Sequence, residues 1–123
     1  MATLAQFPFR EVHGVEIARE FVAAAHKNLA KLKIRKCRVY LADASTFTGL
    51  DDYTHIFMYN PFPAAVLTQV LANLEASLRR KPRTVRILCS NPLHEHVILA
   101  TGTFKKTFVY EPYPNYRISV YEN

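Results

Sequence analysis

Two rhythms of apolar and polar positions alternate along this chain. Residues 12–17 read as a short buried strand, and the next segment places Ile17, Phe21, Ala25, Leu29 and Leu32 on one helical face. Residues 38–42 predict a second strand, with Val39 and Leu41 alternating against Arg38 and Tyr40. A polar connector with Gly49 and Asp51-Asp52 follows over residues 46–53. Residues 54–59 (Thr-His-Ile-Phe-Met-Tyr) are apolar almost without interruption, which predicts a strand buried on both faces.

Asn60-Pro61-Phe62-Pro63 breaks that strand, and Pro63 suits the first turn of a helix because its missing N–H would have no intrahelical partner. Leu67, Val70, Leu71, Leu74 and Leu78 supply the buried stripe of this helix, which ends near Lys81-Pro82. Residues 84–90 predict a fourth strand, Asn91-Pro92 a break, and residues 93–100 a short helix. The ending differs in kind: residues 104–110 and 116–121 are alternating strands, and the Pro-rich stretch 111–115 reads as the turn of an antiparallel hairpin. Strand and helix alternate before that hairpin, so the expected fold class is α/β, a mostly parallel sheet flanked by helices in one domain over residues 1–123.

Composition narrows this only slightly. The 123 residues are 50% hydrophobic, which suits a folded globular chain. No apolar run reaches the length of a membrane span and the N-terminus lacks the pattern of a signal peptide, so the expected location is the cytoplasm. Cys37 and Cys89 fall in expected buried strands, where a thiol is more often a small core residue than a nucleophile. The net charge of +6 is concentrated in Lys27, Lys31, Lys33, Arg35 and Lys36 and in Arg79, Arg80, Lys81 and Arg83, at the ends of the two longer helices, where cations favour the helix dipole. Nucleic-acid binding is therefore a weaker reading, with no recognisable module motif beside the basic clusters.

In a parallel sheet flanked by helices, ligands bind at the carboxyl ends of the strands. Those ends carry Glu16, Asp43, Asn60 and Asn91. A carboxylate there can accept from both hydroxyls of a ribose, and a second acid one strand away can accept from an exocyclic adenine amine. Gly14-Val15-Glu16, then Ala42-Asp43-Ala44, then Tyr59-Asn60-Pro61-Phe62 resemble, in order and spacing, successive motifs of the class I S-adenosylmethionine-dependent methyltransferases. The resemblance implies a Rossmann-like fold with S-adenosylmethionine as cofactor. It maps cofactor binding to Glu16 (ribose), Ile17, Asp43 (adenine) and the Ala44 backbone beside it, and places Asn60, Pro61 and Phe62 before the methyl group and its acceptor. Asn60-Pro61-Phe62 is similar to segments used on planar amino groups and, elsewhere in this class, on protein lysines. Phe62 stands where a second proline is common, so the acceptor stays open between a small-molecule amine, a protein nitrogen and another nucleophile.

In the family a first strand and a Gly-x-Gly-type loop precede the ribose acid and cradle the methionine end of the cofactor. Gly14, Gly49 and Gly102 are the three glycines here, and none belongs to such a loop. Residues 4–9 resemble the end of the helix that follows it. The expectation is an incomplete fold with the first strand missing, weak or absent cofactor binding and an inactive isolated chain. Strands 12–17 and 54–59 would lose their family partner, so they are expected either to pair directly in one sheet or to leave edges for a second copy, giving a homo-oligomer, most simply a dimer. The alternative reading is a non-catalytic methyltransferase-like interaction or oligomerisation module.

Two smaller candidates remain. His94-Glu95-His96 lacks metal-ligand spacing on a helix and reads as a solvated helix start, with Glu95 favouring the dipole. Tyr110, Tyr113, Tyr116 and Tyr121 surround the hairpin as a packing layer or, less often, an acceptor surface.

Overall fold

In the computed structural model, which describes residues 1–59 and 62–123, the chain divides into two compact units, Met1–Ala44 and Ser45–Asn123. The first contains a 3-10 turn (Leu4–Gln6), β1 (Val12–Glu16), α1 (Arg19–Lys31) and β2 (Cys37–Leu41). The second contains β3 (His55–Tyr59), α2 (Ala64–Arg80), β4 (Arg86–Ser90), α3 (Glu95–Ala100), β5 (Lys105–Tyr113) and β6 (Tyr116–Glu122). Cys37 and Cys89 are free and buried.

In the first unit β1 and β2 pair in parallel, with Val12 opposite Cys37 and Glu16 opposite Leu41. Val12, Leu29 and Cys37 form the core, and Leu4, Ala5, Phe9, Ile34 and Val39 pack on it. Helix α1 stops where Lys33 turns left-handed (φ 55°): its N–H reaches the Ala30 carbonyl and that of Ile34 reaches Leu29. These two crossed bonds satisfy carbonyls that the helix end would orphan, and Ile34 packs beside Leu29 beneath them. Lys36 then donates from Nζ to the carbonyls of Phe7 (2.7 Å) and Phe9 (3.0 Å), holding the N-terminal segment.

The second unit is a four-stranded sheet in the order β3-β4-β6-β5, parallel between β3 and β4 and antiparallel beyond. One face carries the core: Met58, Ile87, Cys89 and Tyr121 lie under Leu67, Leu71 and Leu74 of α2 and Ile98 of α3. Pro63, with φ −54°, occupies the position just before α2 rather than within its first turn. Gly102, at φ 69°, follows α3 in a backbone conformation that costs glycine nothing and other residues about 1 kcal/mol. The connector from residue 45 is bracketed to the end of α2: Arg80 pairs with Asp51 (2.7 Å), Lys81 with Asp52 (2.6 Å), and Arg83 donates to the carbonyls of Leu50, Tyr53 and Lys81 and to Ser77 Oγ. Hydrogen bonds from Arg80 and then Ser77 bring the exposed Asp51 carboxyl down to about 2.

The structure corrects several sequence expectations. Helix α1 buries Val22 and Leu29, with Ala25 half-buried between them, whereas Phe21 and Leu32 are exposed and Ile17 precedes the helix. Strand β3 is buried on one face only, because Phe57 and Tyr59 point away from the core that holds Met58. Strands β1 and β3 belong to separate sheets, so the direct pairing that would have joined them is not formed among the described residues. Strand β5 runs through Glu111 and Pro112 to Tyr113, which pairs with Tyr116 after two register shifts. The turn is therefore only Pro114-Asn115, with Asn115 at φ 63°, the residue pattern of a type II turn.

Candidate functional site

Parallel pairing brings two acids of the first unit, Glu16 and Asp43, to one end of its sheet. Glu16 is the last residue of β1, and its carbonyl accepts the Ala42 N–H at 3.0 Å, one residue before Asp43. The two carboxylates thus close adjacent strands, which lie about 4.8 Å apart in any sheet. Glu16 is half-buried, and its Oε1 accepts the Ala18 N–H at 2.8 Å. That bond fixes the carboxylate at the mouth of α1 while leaving it lone pairs to spare, since a carboxylate offers about four acceptor positions. Asp43 is exposed in the turn after β2 and Ala44 is half-buried. Ile17 stands beside Glu16 with 68% of its surface exposed.

In the second unit Phe62 is half-buried and packs on the core. Asn60 and Pro61, the other two acceptor-positioning residues expected from the sequence, lie outside the described residues. Phe62 lines a small pocket with Leu67, Cys89, Pro92, Leu93, His94 and Ile98. The pocket draws this lining from β4, from residues that follow β3 and β4, and from α2 and α3. Its lining is apolar apart from His94 and the Cys89 thiol, and burial, followed by the charge of Glu95, pushes that thiol's pKa up and keeps it protonated. Cys89 is therefore a core residue rather than a nucleophile.

Two sequence candidates have structural work instead. Asn91, at φ 49°, clasps β6: its N–H donates to the Arg117 carbonyl (2.7 Å) and its Oδ1 accepts the Arg117 N–H (3.1 Å). Glu95 is not at a solvated helix start; it accepts the Tyr121 hydroxyl at 2.7 Å and pairs with Lys106 (2.7 Å) and Arg117 (3.7 Å). Tyr121 is fully buried, which removes it from any surface layer, while Tyr110 and Tyr113 are exposed. The sequence hid the pocket because its wall is assembled from two helices, a strand and two connecting segments. The Asn91-Pro92 break followed by Leu93-His94 was the one local signal.

No protein-family model and no curated protein matches the sequence. Solved structures do. A SAM-dependent methyltransferase from Aquifex aeolicus superposes with a TM-score of 0.72 at 16% identity, covering 98% of this chain and 73% of that one. An rRNA methylase from Streptococcus thermophilus gives 0.68 at 14% identity, over 99% and 78%. Magnesium protoporphyrin IX methyltransferase (ChlM) from Synechocystis PCC 6803, solved with bound SAM, gives 0.69 at 16% identity over 98% and 61%. The chain likewise spans 64% of the length of the Escherichia coli yhhF protein. At these identities the likeness speaks to architecture: the chain has an incomplete form of the class I S-adenosylmethionine-dependent methyltransferase fold.

Proposed function

We propose that this chain is an S-adenosylmethionine-dependent methyltransferase-like protein whose first unit recognises the adenosine half of the cofactor. The observation that carries this reading is the placement of Glu16 and Asp43 at the same end of adjacent parallel strands, with Glu16 anchored through Ala18. Glu16 accepts from the ribose hydroxyls, Asp43 from the adenine amine, and exposed Ile17 and the Ala44 backbone pack beside the base. Bound there, S-adenosylmethionine supplies an electrophilic methyl group for in-line transfer. The chain's share of that chemistry is orientation and exclusion of water. By the same resemblance Asn60, Pro61 and Phe62 position an acceptor, a nitrogen of a protein or small molecule or another nucleophile; of these Phe62, with Pro92 and Leu93, gives the pocket of the second unit an apolar wall.

The isolated chain binds the cofactor weakly and is inactive, since none of its three glycines forms a loop for the methionine end. The second reading, a non-catalytic module of the same ancestry, is favoured by the exposed aromatics of the sheet in the second unit. Calorimetric titration separates the two. Adenosine, S-adenosylmethionine and S-adenosylhomocysteine are expected to bind alike, at about millimolar Kd, a free energy near −4 kcal/mol, and Glu16→Gln should weaken all three. Micromolar binding of S-adenosylmethionine would overturn the adenosine-only account. Absence of any adenosine response, by titration and by NMR shifts at β1 and β2, would leave the non-catalytic reading.

A further inference from the structure

One face of the four-stranded sheet is covered by α2 and α3; the other presents aromatic side chains to solvent. Register defines its rows. Phe57, Leu88, Val120 and Phe108 stand side by side across β3, β4, β6 and β5, and Tyr59, Ser90, Ile118 and Tyr110 form the next row. Phe57, Tyr59, Phe108 and Tyr110 are 53–61% exposed. A third row, His55, Arg86, Glu122 and Lys105, closes one end of this face and contains the Arg86–Glu122 ion pair at 2.6 Å.

We infer that this face is the interface of a two-fold dimer, with a second copy of the chain as its occupant. A two-fold axis between the faces and along the strands leaves each row at its own height and reverses its order. Phe57 then meets the partner's Phe108, Leu88 meets the partner's Val120, and Tyr59 meets the partner's Tyr110. The same operation sets Arg86 over the partner's Glu122 and Glu122 over the partner's Arg86, so the two charges at the centre of the row complement themselves, while His55 at its edge faces the partner's Lys105. This is aligned sheet-on-sheet packing, with faces about 10 Å apart and strands within about 30°.

The area suffices. At about 200 Å² per aromatic side chain, the exposed fractions of the four aromatics come to about 450 Å². With the half-buried Leu88, Val120 and Ile118 the pair of copies buries about 1,100 Å², just above the roughly 1,000 Å² that a specific interface clears. The β5 edge of the sheet is a poorer candidate for self-pairing, because it carries Lys105, Lys106, Pro112 and two register shifts, the devices that discourage strand addition.

Sedimentation of the whole chain tests the inference. A dimer is expected at about 50 µM protein, appropriate to an interface of this size. Arg86→Glu and Glu122→Arg each place like charges face to face in their own homodimers and should weaken dimerisation at least about tenfold. Mixing the two variants restores opposite charges across the axis and should recover a heterodimer, an outcome that a merely misfolded variant would not give. Phe108→Glu, with circular dichroism confirming its fold, should be monomeric. A monomeric wild type, a dimer indifferent to Phe108→Glu, or failure of two folded charge variants to pair on mixing would overturn the proposal.

Discussion

Glu95 shows how far a single side chain can depart from what its neighbours in sequence suggest. Burial raises its carboxyl pKa, but hydrogen bonds from Lys106 and Tyr121, with the charges of Lys106 and Arg117, outweigh that and leave it below the ordinary 4.5. A carboxyl held lower in the fold than in the unfolded chain stabilises above its unfolded pKa, and that stabilisation is lost as pH falls through the folded value. Glu95→Gln should therefore cost about 1–3 kcal/mol at pH 7 by urea denaturation. The gap between variant and wild type should close as pH drops below 4.5 towards the folded value. Tyr121 shares the arrangement: burial first, and the bond to Glu95 second, push its phenol well above the ordinary range. None of this was legible locally, because Tyr121 lies 26 residues beyond Glu95. Glu16 and Asp43 were legible as strand-end acids, since a short polar residue closing an apolar run is a local pattern. The bond from Ala18 that anchors Glu16 was not.

Helices α1 and α2 were read from the same kind of periodicity, yet only α2 met its expected stripe. Leu67, Leu71 and Leu74 are buried because α2 lies on a four-stranded sheet. Helix α1 rests on two strands, and only the narrow line through Val22, Ala25 and Leu29 turns inward. Leu71→Ala or Leu74→Ala should cost about 2–5 kcal/mol, whereas Phe21→Ala should fall within about 0.5 kcal/mol, both by chemical denaturation. The same physics explains β3, whose unbroken apolar run suggested two covered faces. Apolar content records what a strand can bury, and the number of elements available decides what it does bury. The hairpin's turn is shorter than its Pro-rich sequence suggests for another reason: Pro112 continues β5, an edge strand, where a residue without an N–H is tolerated.

For the whole molecule, the cores of the two units differ in size among the described residues: Val12, Leu29 and Cys37 cluster in the first, ten buried residues in the second. A two-stranded sheet is marginal without more cover. Amide hydrogen exchange should accordingly be faster in Val12–Glu16 and Cys37–Leu41 than in Arg86–Ser90 and Tyr116–Glu122; equal protection would contradict this ordering. The parallel pairing of β1 with β2 and of β3 with β4, and the antiparallel hairpin of β5 and β6, were foreseeable from the alternation of elements. The division into two sheets was not, because it depends on which strand edges find partners. Charge also has a distribution that a sum conceals. Arg83 keeps its positive charge, yet its guanidinium is already committed to three carbonyls and a hydroxyl, and Arg80 and Lys81 answer to aspartates. To a passing polyanion, the end of α2 is a bracket whose grip has been used at home, so its run of basic residues extends less of an invitation than the sequence suggests.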